Sequence, residues 1–225
     1  MSAAEEKIEW QRRMAERLRY PALDLSGVST IAGADTAYWT TDGGEYGVCC
    51  VAVLDFRTLE VLEMRSASAP VTEEYVPGLL AFRELPLFEL AWAQLTREPD
   101  LVMFDGNGRL HPRHMGIAAQ AALSIGKPAL GVAKTFYNYS RQGFLTPENR
   151  PGAWTDILAD GEVCGRAVRT VKDVRPVFVS PGSGMDLDAA VSVVMACMDG
   201  KSHIPAPTRI ADLQTRRLRK EQLDQ

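Results

Sequence analysis

The 225 residues contain no apolar run near the roughly 20 that a membrane-spanning helix needs. The opening stretch, MSAAEEKIEWQRRMAERL, is charged and helix-patterned and lacks the apolar segment of an export signal. Together these absences predict a soluble, cytoplasmic protein with no membrane partner, and a monomer is the expectation. Cysteine is sparse. Cys49, Cys50, Cys164 and Cys197 stand in apolar stretches without zinc-type spacing, and a chain this long needs no disulfide support, so they read as core thiols. A basic excess is also missing, since 25 lysines and arginines face 29 aspartates and glutamates, a net charge of −4. That argues against a general basic coat for nucleic acid, but leaves room for a local basic groove beside an acidic metal site.

What is present is enough apolar material, 46% of residues, for a sizeable core in one domain spanning 1–225. Glu5 to Arg19, with Ile8, Met14 and Leu18 among charges, predicts an amphipathic helix on the domain surface. Val28 to Tyr38, Tyr46 to Asp55 and Leu59 to Ala67 read as strands with short links, which favours an antiparallel meander. A helix follows Pro77-Gly78, and Pro86 is expected to end or kink its first part. Leu101 to Phe104 and Ala129 to Ala133 read as buried strands on either side of a small-residue helix over His114 to Leu123. Val163 to Val171 and Val177 to Val179 read as two more strands, and Asp188 to Met198 as the closing helix. This order predicts an α/β, ribonuclease H-like fold: a mixed central sheet, meander first and parallel strands after, flanked by helices.

In that fold three carboxylates converge. Asp35 lies inside an apolar strand, where an unpaired charge is costly to bury. Glu84 sits on the first long helix, and Asp105 stands at the mouth of the strand Leu101 to Phe104. Three such groups at one point repel unless cations lie between them, so the cluster predicts a metal site suited to phosphodiester hydrolysis. Taken singly, each residue also has a plain reading: Asp35 as a strand-edge turn residue, Asp105 as an Asp-Gly turn, Glu84 as an exposed helical glutamate beside Arg83.

The strings GADTAYW, EYVPGLLAFRE, MFDGNGRLHPRHMGIA and GVAKT, then SPGSGMDLDAAV and PAPTRIADL, resemble the endonuclease V family from about Ile31 to Leu213. The resemblance implies a DNA repair endonuclease that recognises deaminated adenine in DNA, deoxyinosine, and in some members inosine in RNA. It implies hydrolysis of the second phosphodiester bond 3′ to the lesion, leaving 3′-hydroxyl and 5′-phosphate, with Mg2+ or Mn2+. It places the acidic positions on Asp35, Glu84 and Asp105 and a basic residue for the scissile phosphate on Lys134. Tyr75, before Pro77 and Gly78, corresponds to a wedge that fills the gap left by an extruded base. Gly106 and Gly108 correspond to backbone that reads the base, and His111 to a position near it.

One departure stands out. The resemblance implies a histidine, as in most bacterial relatives, at the position where this chain has Ser183, a weaker ligand. Either Asp186 or Asp188 shares that fourth role, or water fills it; Asp186 also reads as the N-cap of the last helix. Basic residues that could follow phosphates are Arg109, Arg113, Lys127, Lys134 and Arg141, and the tail run Arg216 to Lys220 reads as a solvated helix face. Two other readings stay open: an inosine-binding module that has lost turnover through Ser183, and a small-molecule hydrolase using the same carboxylates.

Overall fold

The structure, a computed structural model, describes residues 2–140 and 143–224. Arg141 therefore lies outside the described residues. Apolar and β-branched residues build a meander of β1 (Thr30–Thr41), β2 (Gly44–Asp55), which is buried on both faces, and β3 (Val61–Pro70). The short, fully buried β4 (Leu101–Phe104) and β5 (Ala129–Ala133) extend it in parallel from β1. Beyond β5 the direction reverses, because β6 (Trp154–Ala159), β7 (Glu162–Val168) and β8 (Val177–Ser183) are joined to one another and to β5 antiparallel. The result is one eight-stranded sheet ordered β3-β2-β1-β4-β5-β8-β7-β6, the mixed, ribonuclease H-like arrangement that was expected. Its parallel part is confined to β1, β4 and β5. The strand β6 is an addition: it lies at an edge and exposes Trp154 and Leu158, so its sequence lacks a clear apolar face.

Helices cover both faces. On one, α2 (Leu80–Trp92) and α3 (Ile117–Ile125) bury Leu87, Phe88, Ala118 and Ala121 against Ala32, Ala34, Val102 and Phe104. On the other, α4 (Leu187–Ala196) buries Ala190, Val193 and Val194 against Ile31, Met103, Leu130 and Val179. Pro86 does not end α2, which continues to Trp92; the buried side chains Leu87, Phe88 and Ala91 after it hold the helix on the sheet despite one missing hydrogen bond. The amphipathic N-terminal stretch forms α1 (Ala3–Ala15), started by a capping box between Ser2 and Glu5.

The chain does not close with α4. An eighteen-residue helix, α5 (Ala206–Leu223), follows and packs along β1 and β2. It approaches so closely that a Cβ on Gly33 would lie 2.1 Å from the carbonyl carbon of Pro207. The four cysteines are buried and unbridged. Among the described residues no helix is long and apolar enough to cross a membrane.

Candidate metal centre and base cavity

The parallel pairing of β1 with β4 places Ala34 beside Phe104, and the amide of Asp105 donates to the carbonyl of Ala34 at 3.3 Å. Asp35, inside β1, and Asp105, just past the end of β4, thus stand at the same level on neighbouring strands. In β1, alternation turns Asp35 to the same side as Gly33, toward α5. There Thr215, fully buried on α5, donates its hydroxyl to Asp35 Oδ2 at 2.5 Å. One turn earlier on the helix stands Asp212. Carboxylate oxygens of Asp35, Asp105 and Asp212 lie within 4.8 Å of one another, a group that could hold a metal ion. Lys134, the first residue after β5, bridges two of them: its Nζ is 2.5 Å from Asp105 and 3.3 Å from Asp212.

Glu84 reaches the same place from α2. With Asp35 and Asp105 it lines a cavity of about 210 Å³, floored by Cys49, Phe88 and Phe104. Its Oε1 accepts from the hydroxyl of Tyr38 at 3.1 Å, and the Arg83 guanidinium lies 4.4 Å over the Tyr38 ring. Burial pushes Glu84 up to about 8, with the charges of Asp35 and Asp105 adding to the rise against the Tyr38 hydrogen bond. Asp35 is pushed up to about 6, again first by burial, with repulsion from Asp105 and Asp212 opposing the Thr215 bond. Without a cation, Glu84 and Asp35 thus favour their protonated forms; a divalent cation reverses that preference, and the hard oxygen donor set suits one.

Asp105 also borders a second cavity, of about 390 Å³, together with Tyr75, Gly78, Gly106, Asn107, His111, Lys134 and Tyr137. The ring of Tyr75 at its rim is 63% exposed, free to contact a ligand. Gly106 lines the cavity, but Gly108 does not: its missing side chain makes room for β8, where a Cβ would stand 2.3 Å from the carbonyl oxygen of Pro181. Pro77 is exposed beside the cavity. His111 is buried, and burial with the nearby charge of Arg113 holds its ring down to about 3, so it is neutral. Its Nδ1 faces the amides of Arg113 and Met115, which leaves the proton on Nε2, 3.0 Å from the carbonyl of Gly78.

Ser183 does not belong to this centre. It pairs with Ala129 at the start of β5, whereas the acidic cluster gathers at the other end of that strand, and its hydroxyl bonds the backbone of Arg19. Asp186 caps α4, accepting from Ala189 at 2.8 Å, and Asp188 pairs with Arg166. The carboxylate that sequence reasoning missed is Asp212. Its surroundings concealed it: the buried side of α5 is Ala206, Pro207, Thr208, Ala211 and Thr215, small or polar residues that leave little apolar periodicity.

A mixed sheet with carboxylates and a lysine gathered at the ends of its central strands defines a ribonuclease H-like hydrolase of the metal-dependent kind. The sequence model of endonuclease V matches residues 12–213. The endonuclease V of Bacillus subtilis is 44% identical over 220 residues, covering 97% of this chain and 92% of its own; that of Bacillus velezensis is 48% identical over 199 residues, covering 88% and 84%. The crystal structure of the Bacillus subtilis protein superposes with a TM-score of 0.96, covering all of this chain and 95% of that one. A Ciona intestinalis endonuclease V, 27% identical with a TM-score of 0.82 and covering 96% of this chain and 99% of that one, was solved in complex with DNA containing an inosine followed by a ribo-adenosine. The chain belongs to the endonuclease V family, and so to the nucleases that hydrolyse phosphodiester bonds.

Proposed function

We propose that this protein nicks DNA at deoxyinosine, hydrolysing the second phosphodiester bond on the 3′ side of the lesion with Mg2+, or Mn2+ in its place. The observation that carries the reading is the double position of Asp105, which lines both the acidic cavity and the aromatic-rimmed one. A base held in the second cavity brings its strand past the carboxylates. Asp35, Asp105 and Asp212 would hold the cation, with Glu84 lining the same cavity as Asp35 and Asp105. Bound there, a divalent cation supplies Lewis acidity and neutralises charge on the phosphoryl group.

The chain's own residues supply the rest. Water attacks phosphorus, the bond to the 3′ oxygen breaks, and the products are a 3′-hydroxyl and a 5′-phosphate. Lys134 lines the second cavity and pairs with Asp105, which both cavities share; from there its ammonium stabilises charge growing on the phosphate. Tyr75 offers its exposed ring to the stack that the extruded base leaves, which replaces part of the lost stacking. Backbone at Gly106 presents fixed polar groups to the base edge. Hypoxanthine carries a carbonyl and a ring N–H where adenine has an amine and a bare nitrogen, so such groups separate the two.

The test is an end-labelled oligonucleotide with one deoxyinosine, incubated with protein and Mg2+. A single nick one bond beyond the lesion's 3′ neighbour is expected, with an undamaged control left intact. Binding without cutting would favour a recognition module, and neither would remove the nucleic-acid reading. The same strand carrying ribonucleotides tests RNA as a substrate.

A further inference from the structure

Tyr75 projects from a segment gripped at two points. At Glu73, the carboxylate pairs with Lys7 of α1 and the carbonyl accepts from Arg83 at 2.6 Å. At Gly78, three side chains converge on one carbonyl oxygen: Gln11 Nε2 at 3.1 Å, His111 Nε2 at 3.0 Å and Arg113 Nη2 at 2.8 Å. The residues between, Glu74 to Pro77, are exposed. Gly78 has φ +82°, so the chain turns sharply at the gripped position.

Gln11 is the hub of the second grip. It is the one fully buried residue of α1, and every bond it makes serves this corner of the molecule. Its amide nitrogen also reaches the carbonyl of Met115 at 3.3 Å, and its Oε1 accepts from Arg113 Nε at 2.6 Å. A buried amide with all these bonds fixes the spacing of its partners, since any shift leaves a polar group unpaired. The rest of α1 reinforces the register. Trp10 meets Phe82 edge-on at 5.4 Å between centroids, and Lys7 lies 5.5 Å over the same ring.

We infer that Gln11 is a positioning residue for lesion recognition: acting through the Gly78 carbonyl, it sets how far Tyr75 stands over the base cavity. The helix α1 is thereby a working part of the site, not a surface decoration. The inference rests on the proposal that Tyr75 takes the place of an extruded inosine.

Gln11→Met keeps the shape and removes the donors and the acceptor; Gln11→Glu keeps an acceptor for Arg113 and removes the donors to Gly78 and Met115. Affinity for an inosine duplex and for its undamaged counterpart is measured for each, together with KM and kcat for nicking and Mn2+ affinity of the DNA-free protein. The expected result is a fall of about tenfold in the ratio of the two affinities. The loss should appear in KM more than in kcat, and Mn2+ affinity should hold within about twofold. If Gln11→Met does not fold, Gln11→Glu carries the comparison. Folded variants with the wild-type ratio, or an equal loss on both duplexes, would overturn the inference. A wild-type protein with no preference for inosine would overturn the functional proposal instead.

Discussion

Asp212 is the residue on which the proposed metal centre turns, because it supplies from α5 the third carboxylate to Asp35 and Asp105. Asp212→Asn, isosteric and uncharged, should lower both Mn2+ affinity and nicking while inosine binding stays measurable; full activity would remove Asp212 from the centre. Lys134→Met should cost about a hundredfold in nicking rate, read in single-turnover kinetics. The carboxylates also tie stability to pH. Glu84 is raised from 4.5 to about 8 by burial, so its contribution is present below about pH 4.5 and is lost as pH rises through 8. His111, lowered from 6.5 to about 3, acts in the opposite sense but only below about 6.5, and Asp35, raised to about 6, has largely titrated by then. Between pH 6.5 and 8 the Tm of the metal-free protein should therefore fall. Glu84→Gln should flatten that slope in calorimetry, and an unchanged slope would show that another group is responsible.

At the scale of elements, the close seating of α5 on β1 governs where Asp212 and Thr215 stand. Gly33 makes that approach possible, and a methyl group there would collide with the backbone of Pro207. Gly33→Ala should cost about 3 kcal/mol in urea unfolding and weaken Mn2+ binding with it. An undisturbed Mn2+ affinity would mean that the close seating of α5 at Gly33 does not set where Asp212 stands. The same helix marks the limit of what the sequence shows. Asp35 could be read because a charge inside the apolar run of β1 contradicts its surroundings, and Asp105 because it ends a fully apolar strand before glycines. Glu84 and Lys134 rested on the family resemblance as much as on position. The helix α5 hid Asp212 because its buried side is built of alanine, proline and threonine. Ser183 misled for a related reason: its string is distinctive, but the string's place in the sheet depends on β8 running antiparallel to β5, which puts it at the far end.

For the whole molecule, the proposed function joins reading and cutting by adjacency. The acidic cavity and the aromatic-rimmed one share Asp105, Lys134 of the second pairs with it, and the sheet holds both through β1, β4 and β5. The order of elements in the meander and the first crossover was legible in the sequence, since period and turn signals are strong there. The antiparallel return of β6, β7 and β8 was not, because strand direction depends on pairing partners distant in the chain. Cutting next to the lesion depends on where a cation sits. Crystals of the protein soaked in Mn2+ and measured at the manganese edge test it most directly. An anomalous peak among the carboxylates of Asp35, Asp105 and Asp212 is the expected result; a peak elsewhere, or none at saturating Mn2+, would contradict it.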